Sequence, residues 1–400
     1  MLQGFLYFCK LIQLTMQFDK IIGQKAVIQK FIHTVQLSRI SHAQLLYGPE
    51  GAGKLNLAIA FAQYVACKSR TESDSCGKCP SCIKYEKLIH PDLHFVYPVV
   101  KTKKFDKPVS DNFIAEWRNF VLNNKKHQLD IWLDFMGNDN SQAGIFTQES
   151  NEIIRKLNLK TFEAEYKIMI IWLPEKMNPS SANKLLKLIE EPPMKTLFLL
   201  VSDFPEQIIN TIQSRSQFIK IPKIDDMSLA EGLTRFHNVE SSKATEIARL
   251  ANGNLYRALD SILTDEAEQY NLKMFIDLMR LCYATKIIEL SAWVDEISIT
   301  GRERQKAFLS YSLKMMRSNF ILNTNPGSPA EMIGLSNEEL NFSTKFCTFI
   351  HNNNIKEISE ELNLAYRHIE RNGTDKIIFL DLALKLVKLL KVKLIPVEQD

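Results

Sequence analysis

The sequence has almost no charge of one sign in excess. Fifty Lys and Arg stand against 46 Asp and Glu, a formal net charge of +4 over 400 residues. A dedicated nucleic-acid binder shows a stronger basic bias, so the balance permits such a partner without arguing for one. Long apolar runs are also missing. Charges interrupt every candidate well before the roughly 18 residues a membrane helix needs, which leaves no membrane span to assign. No internal repeat or low-complexity tract stands out, so neither a solenoid nor a linker-dominated chain is indicated. A secretory signal is absent too. Residues 1–15 are rather apolar, but they lack a basic start, Lys10 interrupts them, and no small-residue cleavage site follows. They read as an upstream start or a frayed extension before Met16, where patterned sequence begins.

What is present is ordinary globular composition, 45% hydrophobic and 24% charged, in a chain long enough for two or three domains. Seven cysteines occur, an odd number. Cys9, Cys282 and Cys347 are scattered like small apolar fillers. Four others crowd into Cys67, Cys76, Cys79 and Cys82. Without a secretory signal, that pattern points to a reducing cytoplasm and a metal rather than to disulfides.

The first half of the chain alternates short buried β runs with helical patterns, the signature of an α/β fold with a parallel sheet. Gln44–Tyr47, Leu93–Tyr97, Lys167–Leu173 and Thr196–Val201 read as strands, and Leu57–Ala66 as a helix. Residues 100–144 are polar and irregular, with Lys101, Lys103, Lys104 and Lys107 and a helical pattern through Phe113, Ile114, Trp117, Phe120 and Val121. They read as an insertion on the edge of the sheet domain, with the lysines on a solvated face. After Ile221-Pro222 strand signals fade. The expected division is a core over 1–225, a small helical lid over 226–265, and an all-helical domain over 266–400 with a break at Asn323–Pro329.

Gly48-Pro-Glu-Gly-Ala-Gly-Lys54 lies between a strand and a helix, the context of a phosphate-cradling loop. Gly48, Gly51 and Gly53 let backbone N–H groups turn toward an anion, and Lys54 has the reach for terminal phosphates. Leu55 follows, where an active loop has a Ser or Thr hydroxyl for Mg²⁺. At the end of the 167–173 strand, Leu173 and Pro174 fill the two slots where such proteins place acids, and Glu175 comes one step late. Both magnesium positions therefore lack oxygen ligands. Phosphoryl transfer would lose its main electrostatic support, leaving ATP binding doubtful, Mg²⁺ unlikely and hydrolysis unsupported.

The Cys67-x8-Cys76-x2-Cys79-x2-Cys82 spacing supplies four sulfurs and no histidine, the donor set of a closed structural Zn²⁺ site. Gly77 and Pro80 lie between ligands, where knuckle turns need special backbone angles. An iron–sulfur ligand set or four free thiols are the alternatives.

Taken together these residues resemble the AAA+ clamp-loader family, and within it the delta-prime subunits of bacterial DNA polymerase III. The likeness runs from about Phe18 to Ile221. It rests on Phe18–Gln24, Ser41–Gly48, the cysteine spacing, His90-Pro91-Asp92, and above all Glu175–Pro193. In that last stretch Asn178 and Pro179 open a helix that Pro192-Pro193 ends, with Leu185, Leu186 and Ile189 facing the sheet. Thr211–Ser216 is similar to the family's Ser-Arg-Cys motif, with Ser216 in place of the cysteine. The resemblance implies a P-loop AAA+ core, a lid and a helical collar. It implies partnership with motor subunits and a delta-like subunit in a five-membered ring, with a sliding clamp, and with primed DNA through the assembly. It also implies that Arg215 acts as an arginine finger on a neighbour's ATP; the residue-level alternative is a surface arginine paired with an acid such as Asp203. The family's nucleotide-sensing arginine slot holds Tyr256, with Arg257 beside it. The competing functional readings are an active motor ATPase, opposed by Leu55, Leu173 and Pro174, and a zinc-bearing DNA-binding module, opposed by the weak net charge.

Overall fold

The computed structural model describes residues 16–137, 143–325 and 335–392. The apolar segment before Met16, Cys9 and most of the 323–329 break lie outside them. The chain divides into two compact units, one ending at Ile262 and the other running from Leu263.

The first unit is built on five parallel strands: β1 (Ala43–Tyr47), β2 (Leu93–Val96), β3 (Lys167–Trp172), β4 (Thr196–Ser202) and β5 (Gln217–Lys220), in the order β2-β3-β4-β1-β5. The central strands are buried along their whole length because both faces are covered. Alternate side chains go to opposite sides, as the two-residue period of a strand requires. Leu197, Leu199 and Val201 pack into the cluster of α1 (Lys25–Gln36) and α2 (Lys54–Ala66). Phe198 and Leu200 pack with Ile153 and Leu157 of α6 (Thr147–Asn158) and Leu185 and Ile189 of α7 (Pro179–Glu190). Asn178 caps α7 by accepting from Ser181 N at 2.7 Å, with Pro179 in the first helical position.

Strand β5 carries no sequence signal, because on this edge only Ile219 is buried and its neighbours are exposed. Residues 100–144 also differ from the expected appendage. They hold α4 (Ile114–Asn123) and α5 (Leu129–Phe135) beside edge strand β2, and their aromatic side chains enter the main core. Trp117 stacks on Tyr97 with ring centroids 4.0 Å apart, and Trp132 meets Trp117 edge-on at 5.3 Å. Trp117, Phe120 and Trp132 are fully buried in the main cluster, and aromatics of this size dominate core energetics, so these helices are core elements.

The chain then forms α9 (Asp226–His237), α10 (Ser241–Ala251) and the start of α11 (Leu255–Ala284), after the short α3 (Pro80–Glu86) and α8 (Asn210–Gln213) of the sheet region. Leu229, Leu233, Ala244, Ala248 and Ala258 make a cluster of their own, yet residues 226–262 fall in the same compact unit as the sheet. The division comes within α11, three residues before the expected end of the lid at 265. The second unit is helical among its described residues, with Ile287–Ser298, Arg302–Thr324, Asn337–Phe346, Ile355–Glu370 and Asp375–Leu389 around a core that includes Phe275, Phe308 and Phe379. No helix of the described residues is long and apolar enough to cross a membrane.

Candidate functional site

The phosphate loop leaves the C-terminal end of β1, in the middle of a parallel sheet, where α/β folds place their ligand crevice. Gly48 lies so close to Ile221 that a Cβ there would meet its carbonyl oxygen at 2.0 Å. Gly51 has φ +74°, and a Cβ on it would strike Asn254 Oδ1 at 2.0 Å. Gly53, at φ 78°, precedes the first residue of α2 and faces open space. Gly48 and Gly51 are thus needed for close approach, to Ile221 and to the lid residue Asn254, as much as for turning N–H groups outward.

Lys54 does not extend toward an empty anion pocket. Its Nζ donates to Gly48 O at 2.7 Å and Pro49 O at 2.6 Å, and pairs with Asp203 Oδ1 at 2.7 Å. Asp203 reaches it because β4 runs beside β1 with Tyr47 opposite Ser202, which places the residue just after β4 alongside the start of the loop. The cavity that remains, lined by Gly53, Lys54, His127, Trp172, Asp203 and Tyr256 among others, measures about 10 Å³. That is about the space of one water. Leu55 is buried in the main core and meets the same small cavity with an apolar side chain. Leu173 and Pro174 are buried at the end of β3. Glu175 accepts from Asp203 N at 3.1 Å and Phe204 N at 3.3 Å, holding the backbone of the residue that pairs with Lys54; burial raises its carboxyl above the usual range. Tyr256 sits over the loop with its hydroxyl on the His127 peptide, while Arg257 is exposed.

The four cysteines come together at the end of α2 and the start of α3. Their Sγ atoms all lie within 4.8 Å of one another. Cys67 and Cys76 are 3.5 Å apart, and Cys76 and Cys82 3.9 Å. Tetrahedral zinc with bonds of about 2.3 Å separates its sulfurs by about 3.8 Å, so the set fits that ion. Backbone N–H groups of Cys76, Cys79 and Cys82 point at the sulfurs of Cys67, Cys76 and Cys79, as a site meant for thiolates requires. The N–H of Lys78 is the largest influence bringing the Cys76 thiol down to about 6, whereas burial pushes Cys67 and Cys82 up. Gly77 makes its turn at φ +67°. The loop is tied to the start of the domain by Asp74, which accepts from Phe18 N and Asp19 N, and by Gln17 Nε2, which donates to Ser75 O.

Arg215 lies just beyond α8, where the chain turns into β5. It pairs with Glu190 at the end of α7, not with Asp203, and donates to Thr211 O at 2.9 Å and Ser214 Oγ at 3.2 Å. The Lys54–Asp203 pair and the places of His127 and Trp172 in the cavity wall are not legible in the sequence. Asp203 had a signal, an acid at the end of a parallel strand; His127 had none.

A parallel sheet in this order, with a glycine-rich loop leaving the inner strand β1 for α2, defines an α/β P-loop core of the AAA+ class. The particular family follows from similarity. Residues 23–225 match the family described as DNA polymerase III, delta subunit, and the chain belongs to it. Among its relatives, "DNA polymerase III subunit delta'" of Bacillus subtilis is 26% identical over 251 residues, covering 63% of each chain. The protein of the same name from Pseudomonas aeruginosa is 28% identical over 206 residues, 52% of this chain and 51% of the relative. "DNA polymerase III subunit gamma" of Buchnera aphidicola (subsp. Schizaphis graminum) is 25% identical over 248 residues, 61% of this chain and 56% of the relative. The chain thus spans less than two thirds of the length of these relatives, and identity alone does not separate delta' from gamma.

Proposed function

We propose that this chain is a non-hydrolysing, delta-prime-like subunit of a bacterial clamp loader, supporting ATP-dependent placement of a sliding clamp on primed DNA. The observation that carries the reading is the engagement of Lys54 by Gly48 O, Pro49 O and Asp203 in a site with about 10 Å³ to spare. The lysine that a phosphate would need is already engaged by an anion of the protein itself. Neither Leu55 nor Leu173 and Pro174 can hold Mg²⁺, which weighs against the gamma-like motor reading.

In this reading the four cysteines hold a structural Zn²⁺, which brings cohesion to the α2–α3 junction and no open coordination position for catalysis. Residues 226–262 serve as lid and the helical unit from Leu263 as collar. The partners are motor subunits and a delta-like subunit in a five-membered cytoplasmic ring. Arg215 is offered to a neighbour. Its partner Glu190 is a surface carboxylate, and such an ion pair is worth only about 0–1 kcal/mol. It gives way readily to a γ-phosphate, which takes two hydrogen bonds from a guanidinium.

The test is reconstitution with motor and delta-like subunits from the same cell. A stable complex that loads clamp only when this chain is included is the expected result. Loading at full rate without it would refute the proposal.

A further inference from the structure

The loop joining α4 to α5 makes an unusual series of contacts. Four consecutive residues reach four different groups. Lys125 Nζ lies 3.4 Å from His237 Nδ1 at the end of α9. Lys126 pairs with Asp260 of α11. The His127 peptide receives Tyr256 of α11 on both sides, its N–H donating to the hydroxyl at 3.1 Å and its carbonyl accepting from it at 3.4 Å. Gln128 Nε2 donates to Glu50 Oε1 of the phosphate loop at 2.7 Å.

The loop is anchored from behind. The His127 ring is buried against Phe120, and its Nε2 lies 3.2 Å from Val121 O, so the peptide that holds Tyr256 is fixed to the aromatic core. The lid touches the phosphate loop directly as well, through Leu255 N and Gly51 O at 3.1 Å. Closure around a bound ligand is the common way to join two such elements.

We propose that residues 125–128 are a latch that holds α9–α11 closed on the phosphate loop in the absence of any nucleotide. The α4–α5 loop thereby fixes the lid angle of this subunit, and the tyrosine in the sensing slot is a positioning residue for the lid. The inference rests on the nucleotide-silent reading for the claim that no ligand competes for the joint.

Hydrogen exchange on the full-length chain, without nucleotide, tests it. Tyr256→Phe keeps the ring and removes both bonds to the His127 peptide; Lys126→Ala removes a surface tie without touching the core. The latch predicts that amides of α10 and of residues 255–262 exchange roughly three- to tenfold faster in Tyr256→Phe, and faster again in the double variant. Helices beyond Leu263 serve as the internal reference and keep their rates. Unchanged exchange at 241–262 in both variants would overturn the latch, and a rise spread equally over the reference helices would show global destabilisation and overturn it too. Neither result bears on ATP turnover, whose presence would instead count against the nucleotide-silent reading.

Discussion

Lys54 Nζ and Asp203 Oδ1 stand 2.7 Å apart across the junction of the phosphate loop and β4, with the lysine side chain 5% exposed and the aspartate 27%. Two oppositely charged groups held this way depend on each other, because removing either strands the other in a poorly solvated place. Fully buried pairs cost about 3–5 kcal/mol to break, and the exposure of Asp203 reduces that. A double-mutant cycle of Lys54→Ala and Asp203→Ala in urea should therefore give a coupling energy of about 1–3 kcal/mol. Additive losses would show that the pair does not hold the loop.

The sulfur cluster predicts one zinc per chain. Metal analysis of protein purified under reducing conditions should find it, and chelation should lower the melting temperature because bound metal adds directly to folding free energy. Cys76→Ser should weaken retention without affecting the helices beyond Leu263. Zinc-free protein with an unchanged melting temperature would remove the metal from the account.

A pH dependence follows from Glu149. Burial lifts its carboxyl from 4.5 to about 7, even though Ser110 N donates to it at 2.6 Å and its other oxygen has no partner. The folded chain therefore keeps the proton that the unfolded chain releases near pH 4.5. The resulting stability is fully present below about 4.5 and is lost as pH rises through about 7, by on the order of 3 kcal/mol. Glu149→Gln retains an acceptor for Ser110 and cannot ionise. Its stability relative to wild type should rise between pH 5 and pH 8 in denaturant titrations; parallel curves would contradict the assignment.

Arg215 predicts a loss in trans. In a reconstituted ring, Arg215→Ala should lower clamp-stimulated ATP turnover while leaving assembly intact. Arginine fingers are worth about 10³–10⁵ at a single site, but the other motor sites of the ring would mask most of that. A fall of severalfold is the expected reading by steady-state assay. Full activity in an intact ring would return Arg215 to an ordinary surface role.

Much of the core was legible in the sequence because its signals are local. Thr196–Val201 lies within β4 since a strand covered on both faces is a continuous apolar run, and Asn178-Pro179 opens a helix because capping is decided by neighbouring residues. The cysteine spacing announced a cluster, and the four sulfurs do meet within 4.8 Å of one another. What was hidden is long-range. Gln217–Lys220 joins the sheet through its pairing with β1 rather than through its own pattern. Trp117 and Trp132 enter the core from a stretch whose lysines suggested an exposed insertion. Asp203 meets Lys54 only because the β1–β4 register brings residues 149 positions apart into contact, a distance along the chain over which no motif extends.

The most direct test of the central claim is magnesium-dependent ATP hydrolysis by the purified, isolated chain. With its lysine paired internally and no oxygen ligand for the metal at Leu55, Leu173 or Pro174, the protein should show no turnover above background, and Lys54→Ala should change nothing. Steady hydrolysis that disappears on Lys54→Ala would contradict the account and identify the chain as a motor.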